Sequence, residues 1–335
     1  NMTIPSASLS TLIIRREGSL ADGSGQDGNV TLRVTSESLV PAVSTISSEE
    51  IDATRNVADL NKVSSQGEGE IEFEFSSDTA MDGILQSVFQ TSAAGNANVE
   101  AGITVDTDMF NGTSQSSFII EKKTTDGSTS KFQKYEGMVP NTLELTAESG
   151  SFVTGTVGFL GSKVNTMTSS ASLTSPIAAT ETTPFTTVDS DTTVKFDTSG
   201  TPTVTYGDYA ELTGVKATAF SLSIDNGLRP QTQIGTTDLA GIGSGRFTVT
   251  GSLTVYATDE TLFNNYINTT AFGLLLQMGN SSANYRFYMP EVKITSAQVL
   301  AGGNDEDVLM ELEFQAVKTT IGSDVFTCKL VKNES

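Results

Sequence analysis

The sequence predicts a mainly β protein: two tandem β-sandwich units, each with one flanking α-helix. Three observations predict it. Hydrophobic residues make up 37% and charged residues 18% of the 335 positions, so the balance falls to Ser, Thr, Asn and Gly, which suit strands and turns. Apolar and polar residues alternate with period two through most of the chain. A strand-then-helix pattern in the first half also returns 182 residues later.

In chain order, residues 30–34 (Val-Thr-Leu-Arg-Val) alternate as a half-buried strand, and residues 70–75 (Glu-Ile-Glu-Phe-Glu-Phe) do so more strongly. Residues 78–90 follow as a helix, with Met81, Ile84, Leu85, Val88 and Phe89 on one stripe and Ser76 or Ser77 as N-cap. Further strands fall at residues 143–145, 153–157, 247–250 and 311–314. A second helix covers 259–268, with Leu262, Phe263, Tyr266 and Ile267 as its stripe and Thr258 as cap. Placing Gly69 against Gly251 sets Ile71 on Leu253, Phe73 on Val255, Met81 on Phe263, Ile84 on Tyr266 and Leu85 on Ile267 without a gap. The Ser/Thr/Pro-rich run 169–185 reads as an extended connector between a first domain, 1–168, and a second, 186–335.

Composition excludes several chemistries. The chain has no His, no Trp and one Cys, which removes histidine triads, Cys-His pairs, thiolate clusters and internal disulfides. With 19 Lys+Arg against 40 Asp+Glu, the net charge is −21, shared by both halves, and such a surface is not built to grip phosphates. Cys328 reads as a small core residue at the last strand. Residues 23–28 fit G-x-G-x-x-G, but a strand follows where a dinucleotide loop needs a helix, so Asp22, Gly23, Ser24, Gly25, Gln26, Asp27 and Gly28 read as a hairpin tip. The turn Gly303-Asn304-Asp305-Glu306-Asp307 reads as a solvated turn whose carboxylates could also meet a hard cation.

The most informative stretch carries Glu68, Glu70, Glu72 and Glu74 at alternate positions. On a strand they share one face at roughly 6.6–6.8 Å spacing, with Ile71, Phe73 and Phe75 turned the other way. Glu311 and Glu313 form a shorter second row, and Thr248, Thr250, Ser252 and Thr254 form the uncharged counterpart. A solvated outer face would look the same. Glycosidase chemistry needs two acids converging across a cleft, which one row on one strand does not provide.

Residues 47–60, running into the 67–75 strand and 78–89 helix, are similar to the first unit of tail tube proteins from long non-contractile-tailed bacteriophages. So are Phe118-Ile119-Ile120-Glu121, Phe132-Gln133-Lys134-Tyr135-Glu136-Gly137-Met138-Val139-Pro140-Asn141 and Tyr285-Arg286-Phe287-Tyr288-Met289-Pro290-Glu291-Val292-Lys293-Ile294. The resemblance implies a structural virion protein without catalysis or cofactor. Its inner sheets would close edge to edge into a β-barrel channel, and its rings would stack into a tube. It implies as partners the chain itself, a tape measure protein, a tail terminator and distal tail proteins, with DNA passing through unread. It implies location in the phage tail, after assembly in the host cytoplasm. The duplication suggests three chains per pseudo-sixfold ring. The acids Glu68, Glu70, Glu72, Glu74, Glu311 and Glu313 are then expected in the channel, and residues 22–28 in ring stacking. A secreted or surface β-sandwich adhesin is the alternative.

Overall fold

The computed structural model describes residues 10–25, 28–50, 56–57, 59–91, 105–126, 129–257, 260–301 and 307–334. Its principal strands are β1 (Thr11–Arg16), β2 (Val40–Ser47), β3 (Leu60–Glu74), β4 (Phe118–Thr125), β5 (Ser130–Glu148), β6 (Thr154–Gly161), β7 (Thr193–Asp197), β8 (Val215–Asp225), β9 (Thr248–Ala257), β10 (Phe272–Gly279), β11 (Ala283–Leu300), β12 (Leu309–Ala316) and β13 (Lys329–Glu334). Helix α1 spans Thr79–Phe89 and α2 spans Thr261–Asn268. The chain is mainly β, and its large sheet is not closed into a barrel.

Two sets of strands pair in the same order, antiparallel throughout. The first runs β1-β4-β5-β6-β3-β2 and the second β7-β10-β11-β12-β9-β8. Two of the ladder irregularities agree as well. The β4–β5 ladder slips between Phe118 and Ile120, and the β10–β11 ladder between Phe272 and Leu274. The β5–β6 ladder slips at Pro140/Thr142, and β11–β12 at Ile294/Ser296. Both slips stand 154 residues apart, since 272 − 118 = 154 and 294 − 140 = 154. A bulge bends its strand and re-aims the residues beyond it, so each long strand leaves one sheet layer and enters the other at the same place.

Two glycines allow close backbone crossings within the inner layer, at equivalent points of β3 and β9. A Cβ on Gly69, whose φ is +141°, would meet the Ser38 carbonyl oxygen, and one on Gly251 would meet that of Ser221. These are the two glycines that the 182-residue offset superposes.

The two sets are joined by one further ladder. The C-terminal end of β5 pairs with β8, from Thr142 opposite Asp225 to Glu148 opposite Ala219. The inner layer is thus continuous over eight strands, β2-β3-β6-β5-β8-β9-β12-β11. One of its faces packs into the main core through Ile71, Phe73, Leu143, Leu145, Val157, Leu222, Ile224, Leu253, Leu312 and Phe314.

One local detail differs from the sequence expectations. The N-cap of α1 is Asp78, not Ser76 or Ser77: its carboxylate accepts the Ala80 N–H at 3.0 Å, while the Ser76 hydroxyl accepts from Arg33 and the Ser77 carbonyl from the Thr182 hydroxyl. Helix α2 begins at Thr261 with no side-chain cap bond from Glu260; Thr258 and Asp259 lie outside the described residues. Residues 165–185 are extended but pinned to the first set. Thr168 bridges Phe132, Ile177 bridges Val30, and Leu173 and Phe185 are buried. A Ser/Thr-rich run with two apolar anchors is a strap rather than a free linker. Cys328 is buried, and burial pushes its thiol pKa up, as a core residue requires.

Candidate functional site

The inner layer turns most of its other face to solvent, while at the Glu68 end Leu239 and Ile242 cover Val139 and Leu160. Strand β3 presents Glu68, Glu70, Glu72 and Glu74 there, all exposed, because the intervening Ile71 and Phe73 are committed to the core. Strand β12 does the same with Glu311 and Glu313, between buried Met310, Leu312 and Phe314.

Pairing carries these positions across the sheet in rows. Glu72 stands opposite Thr156, Thr156 opposite Glu144, Glu144 opposite Ser223, Ser223 opposite Thr250, and Thr250 opposite Gln315. One row on, Glu74 leads through Thr154, Thr146, Ser221 and Ser252 to Glu313. A third row runs from Glu148 through Ala219 and Thr254 to Glu311 and Gln298. The six acids expected from sequence therefore lie on one face of one sheet. Glu144, Glu148 and Asp225 join them there; their alternation with Leu143, Leu145 and Ile224 was the available signal, but isolated acids on separate strands become a group only once the strands pair.

The acids are spaced so that none lies directly opposite another in these ladders. Each faces a Thr, Ser, Gln, Gly or apolar residue. Directly opposed like charges would destabilise the sheet, so the pattern concentrates charge on the face with the least cost to the fold. The hydroxyls between them bond one another: Thr146 with Thr154 at 2.9 Å and Ser221 with Ser252 at 2.8 Å. The basic residue on these rows is Lys293, at the far margin opposite Gln315.

The hairpin that carries the tip packs through Leu20 into the Val139–Leu239–Ile242 cluster at the Glu68 end. Asp22 holds it as a tight turn, its carboxylate accepting from the backbone N–H and hydroxyl of both Ser19 and Ser24, which pull its pKa down. Glu17 anchors the base, accepting from the Ser117 hydroxyl at 2.6 Å and the Gly137 N–H at 3.0 Å; burial raises its pKa despite those bonds. Gln26 and Asp27 lie outside the described residues, as do Gly303, Asn304, Asp305 and Glu306 of the second acidic turn. Among the described residues no cluster of three or more potential ligands could hold a metal ion.

The inner layer has two open margins. Among the described residues, strand β2 pairs with β3 alone, and residues 293–300 of β11 pair with β12 alone. Unpaired strand margins attract other strands, and here they flank a continuous acidic face. That arrangement suits a wall that continues from chain to chain better than a cleft that encloses a substrate. Comparison with curated proteins finds no match. The family model described as Phage tail tube protein matches residues 8–316, nearly the whole length, and the chain belongs to that family.

Proposed function

We propose that this chain is the tube subunit of a long, non-contractile phage tail, a structural virion protein that catalyses nothing. The carrying observation is the eight-strand inner layer, acidic on one face, apolar on the other and open at both margins. Its two strand sets act as tandem tube domains, 1–168 and 186–335, with 169–185 as the strap between them. Three chains closing margin to margin give a pseudo-sixfold ring of 3 × 8 = 24 strands. At about 4.8 Å per strand and about 40° tilt, the backbone circle is on the order of 48 Å across, wide enough for a DNA duplex. Rings then stack by a head-to-tail contact that does not close, which makes an open filament. Residues 22–28 serve that stacking. The tape measure, terminator and distal tail proteins set its length and ends.

The acidic face lines the bore. DNA binds basic surfaces by releasing counterions; a wall carrying Glu68, Glu70, Glu72, Glu74, Glu311 and Glu313 offers no such hold, and the genome slides through during ejection. The Glu72→Lys plus Glu74→Lys variant is expected to form hollow rods of normal width yet to slow DNA ejection from reconstituted virions. Normal ejection kinetics, or a reconstruction with these residues on the outer wall, would overturn the reading.

A further inference from the structure

The β5–β8 seam inside the chain has a counterpart between chains. Opposite Thr250 on β9 stands Ser223, and opposite Glu68 on β3 stands Val40. Since 250 − 68 = 182 and 223 − 40 = 183, the stretch 36–42 plays in the first set the part that 219–225 plays in the second. On the other side of the seam, residues 142–146 of β5 correspond, at the 154-residue offset of the matching bulges, to residues 296–300 of β11. Each half of the seam thus recurs once more in the chain, at opposite margins of the inner layer, with no strand paired on its outer side among the described residues.

The two bare margins carry the marks of a missing neighbour. Leu145, inside the seam, is fully buried against the core, whereas its counterpart Val299 is 50% exposed. Helix α1, beside the seam, is covered by the second set: the Asp82 carboxylate accepts from the Tyr285 hydroxyl and from Lys332, and the Val88 carbonyl accepts from Asn226. Helix α2, beside the bare margin, buries only Leu262 and leaves Ile267 exposed.

We propose that the β2 margin of one chain pairs antiparallel with the β11 margin of a second copy, in the register of the internal seam. Translating that seam by the two offsets puts Ser38 opposite Leu300, Leu39 opposite Val299, Val40 opposite Gln298, Pro41 opposite Ala297, and Ala42 opposite Ser296. Leu39 then covers Val299 as Leu222 covers Leu145. The inference rests on the tube reading above and adds to it a single residue-by-residue register.

The backbone directions make it testable by disulfide. Ser65 sends its N–H to the Thr237 carbonyl, away from β2, so Val43 opposite it, and Pro41 in phase, turn their backbone groups to the open margin. Val40 and Ala42 therefore meet the second chain as non-hydrogen-bonded pairs, with Cα atoms about 4.5 Å apart, inside the range a disulfide spans. Val40 and Gln298 lie outside the core in the single chain, so cysteines there leave the core intact, and the native Cys328 is buried. Rods of the full chain are formed first and confirmed by negative stain, then oxidised and run on a non-reducing gel. Val40→Cys with Gln298→Cys, and separately Ala42→Cys with Ser296→Cys, are expected to give reducible multimers that end at three chains. Val40→Cys with Ser296→Cys, two residues out of register, is expected to lose them. Rods in which the offset pair links as well as the in-register pairs, or in which neither in-register pair links, overturn the register and leave the tube standing. Failure of the unmodified chain to form rods under any condition overturns the tube reading and the register with it.

Discussion

Helices α1 and α2 occupy equivalent places in the two strand sets and have opposite surroundings. Every residue of α1 from Ala80 to Phe89 is buried, polar ones included. In α2, Leu262 alone is. The 182-residue offset superposes Leu85, fully buried, on Ile267, which is 63% exposed, and Asp82, buried in an ion pair, on exposed Asn264. The residues of the second set that cover α1 include Tyr285 and Phe287; their counterparts on β5, at the 154-residue offset, are Lys131 and Gln133. The same helix is therefore a core element where its neighbour is fused to it and a surface element where the single chain supplies no such neighbour among the described residues. A permanent contact can be apolar; a contact that has to wait in water is kept more polar.

The sharpest break in this comparison is at the buried pair. Lys332→Met strands the Asp82 carboxylate without its ammonium and is expected to lower stability by about 3–5 kcal/mol in urea denaturation. Asn264→Ala at the equivalent point of α2 is expected to stay within about 0.5 kcal/mol. Equal effects would mean that the two helices share one environment in solution.

Next come the apolar counterparts. Leu85→Ala is expected to cost about 2–5 kcal/mol as a core truncation, and Ile267→Ala under about 0.5 kcal/mol in the unassembled chain. The second variant should instead raise the concentration at which rods grow, seen by light scattering. Unchanged rod growth would place α2 away from any contact between chains.

The glycine crossings should behave alike in both sets. Gly251→Ala drives a methyl into the Ser221 carbonyl and is expected to cost about 1–3 kcal/mol. Gly69→Ala meets the Ser38 carbonyl and adds a positive φ, so it should cost at least as much. A large inequality in the other direction, read from thermal melts, would break the equivalence of the crossings.

The smallest effect is a pH slope at the α1 cap. Burial raises the Asp78 pKa above 3.8, against the Ala80 N–H and the charges of Arg33 and Lys332, which pull it down. The folded state thus holds this proton more tightly than the unfolded one. Stability from this group is fully present below the ordinary value and is lost as pH rises through the raised one. Asp78→Asn keeps an acceptor for the cap and should flatten that segment of the stability profile; an unaltered slope would assign it to other carboxylates.

Much of the fold is legible in the sequence because burial enforces it locally. The Glu68–Glu74 alternation shows its two faces without help, and both helices show their apolar stripes. The repeat is legible through the helices and then disappears, for a physical reason: the offset drops from 182 to 154 because the start of α1 stands 118 − 79 = 39 residues before β4 and the start of α2 only 272 − 261 = 11 before β10. Only hydrogen-bonded register recovers it. The site was half legible on the same grounds. A row along one strand is visible in a string of letters, while Glu144, Glu148 and Asp225 reach that face through neighbours distant in sequence. The 165–185 segment reads as an extended connector by composition, and its docking depends on Leu173 and Phe185 finding buried positions that no local pattern announces.

Pro41 sits on the bare β2 margin with its backbone turned outward, where its counterpart inside the seam is Ile224. A proline there has no hydrogen to donate, so any strand that settles on this rim, right or wrong, finds one rung of the ladder missing. On the tube reading proposed above, that gap weakens chance rim-to-rim sticking, the first step toward disordered fibres, whereas the neighbour proposed for this rim would add side-chain contacts that chance partners lack.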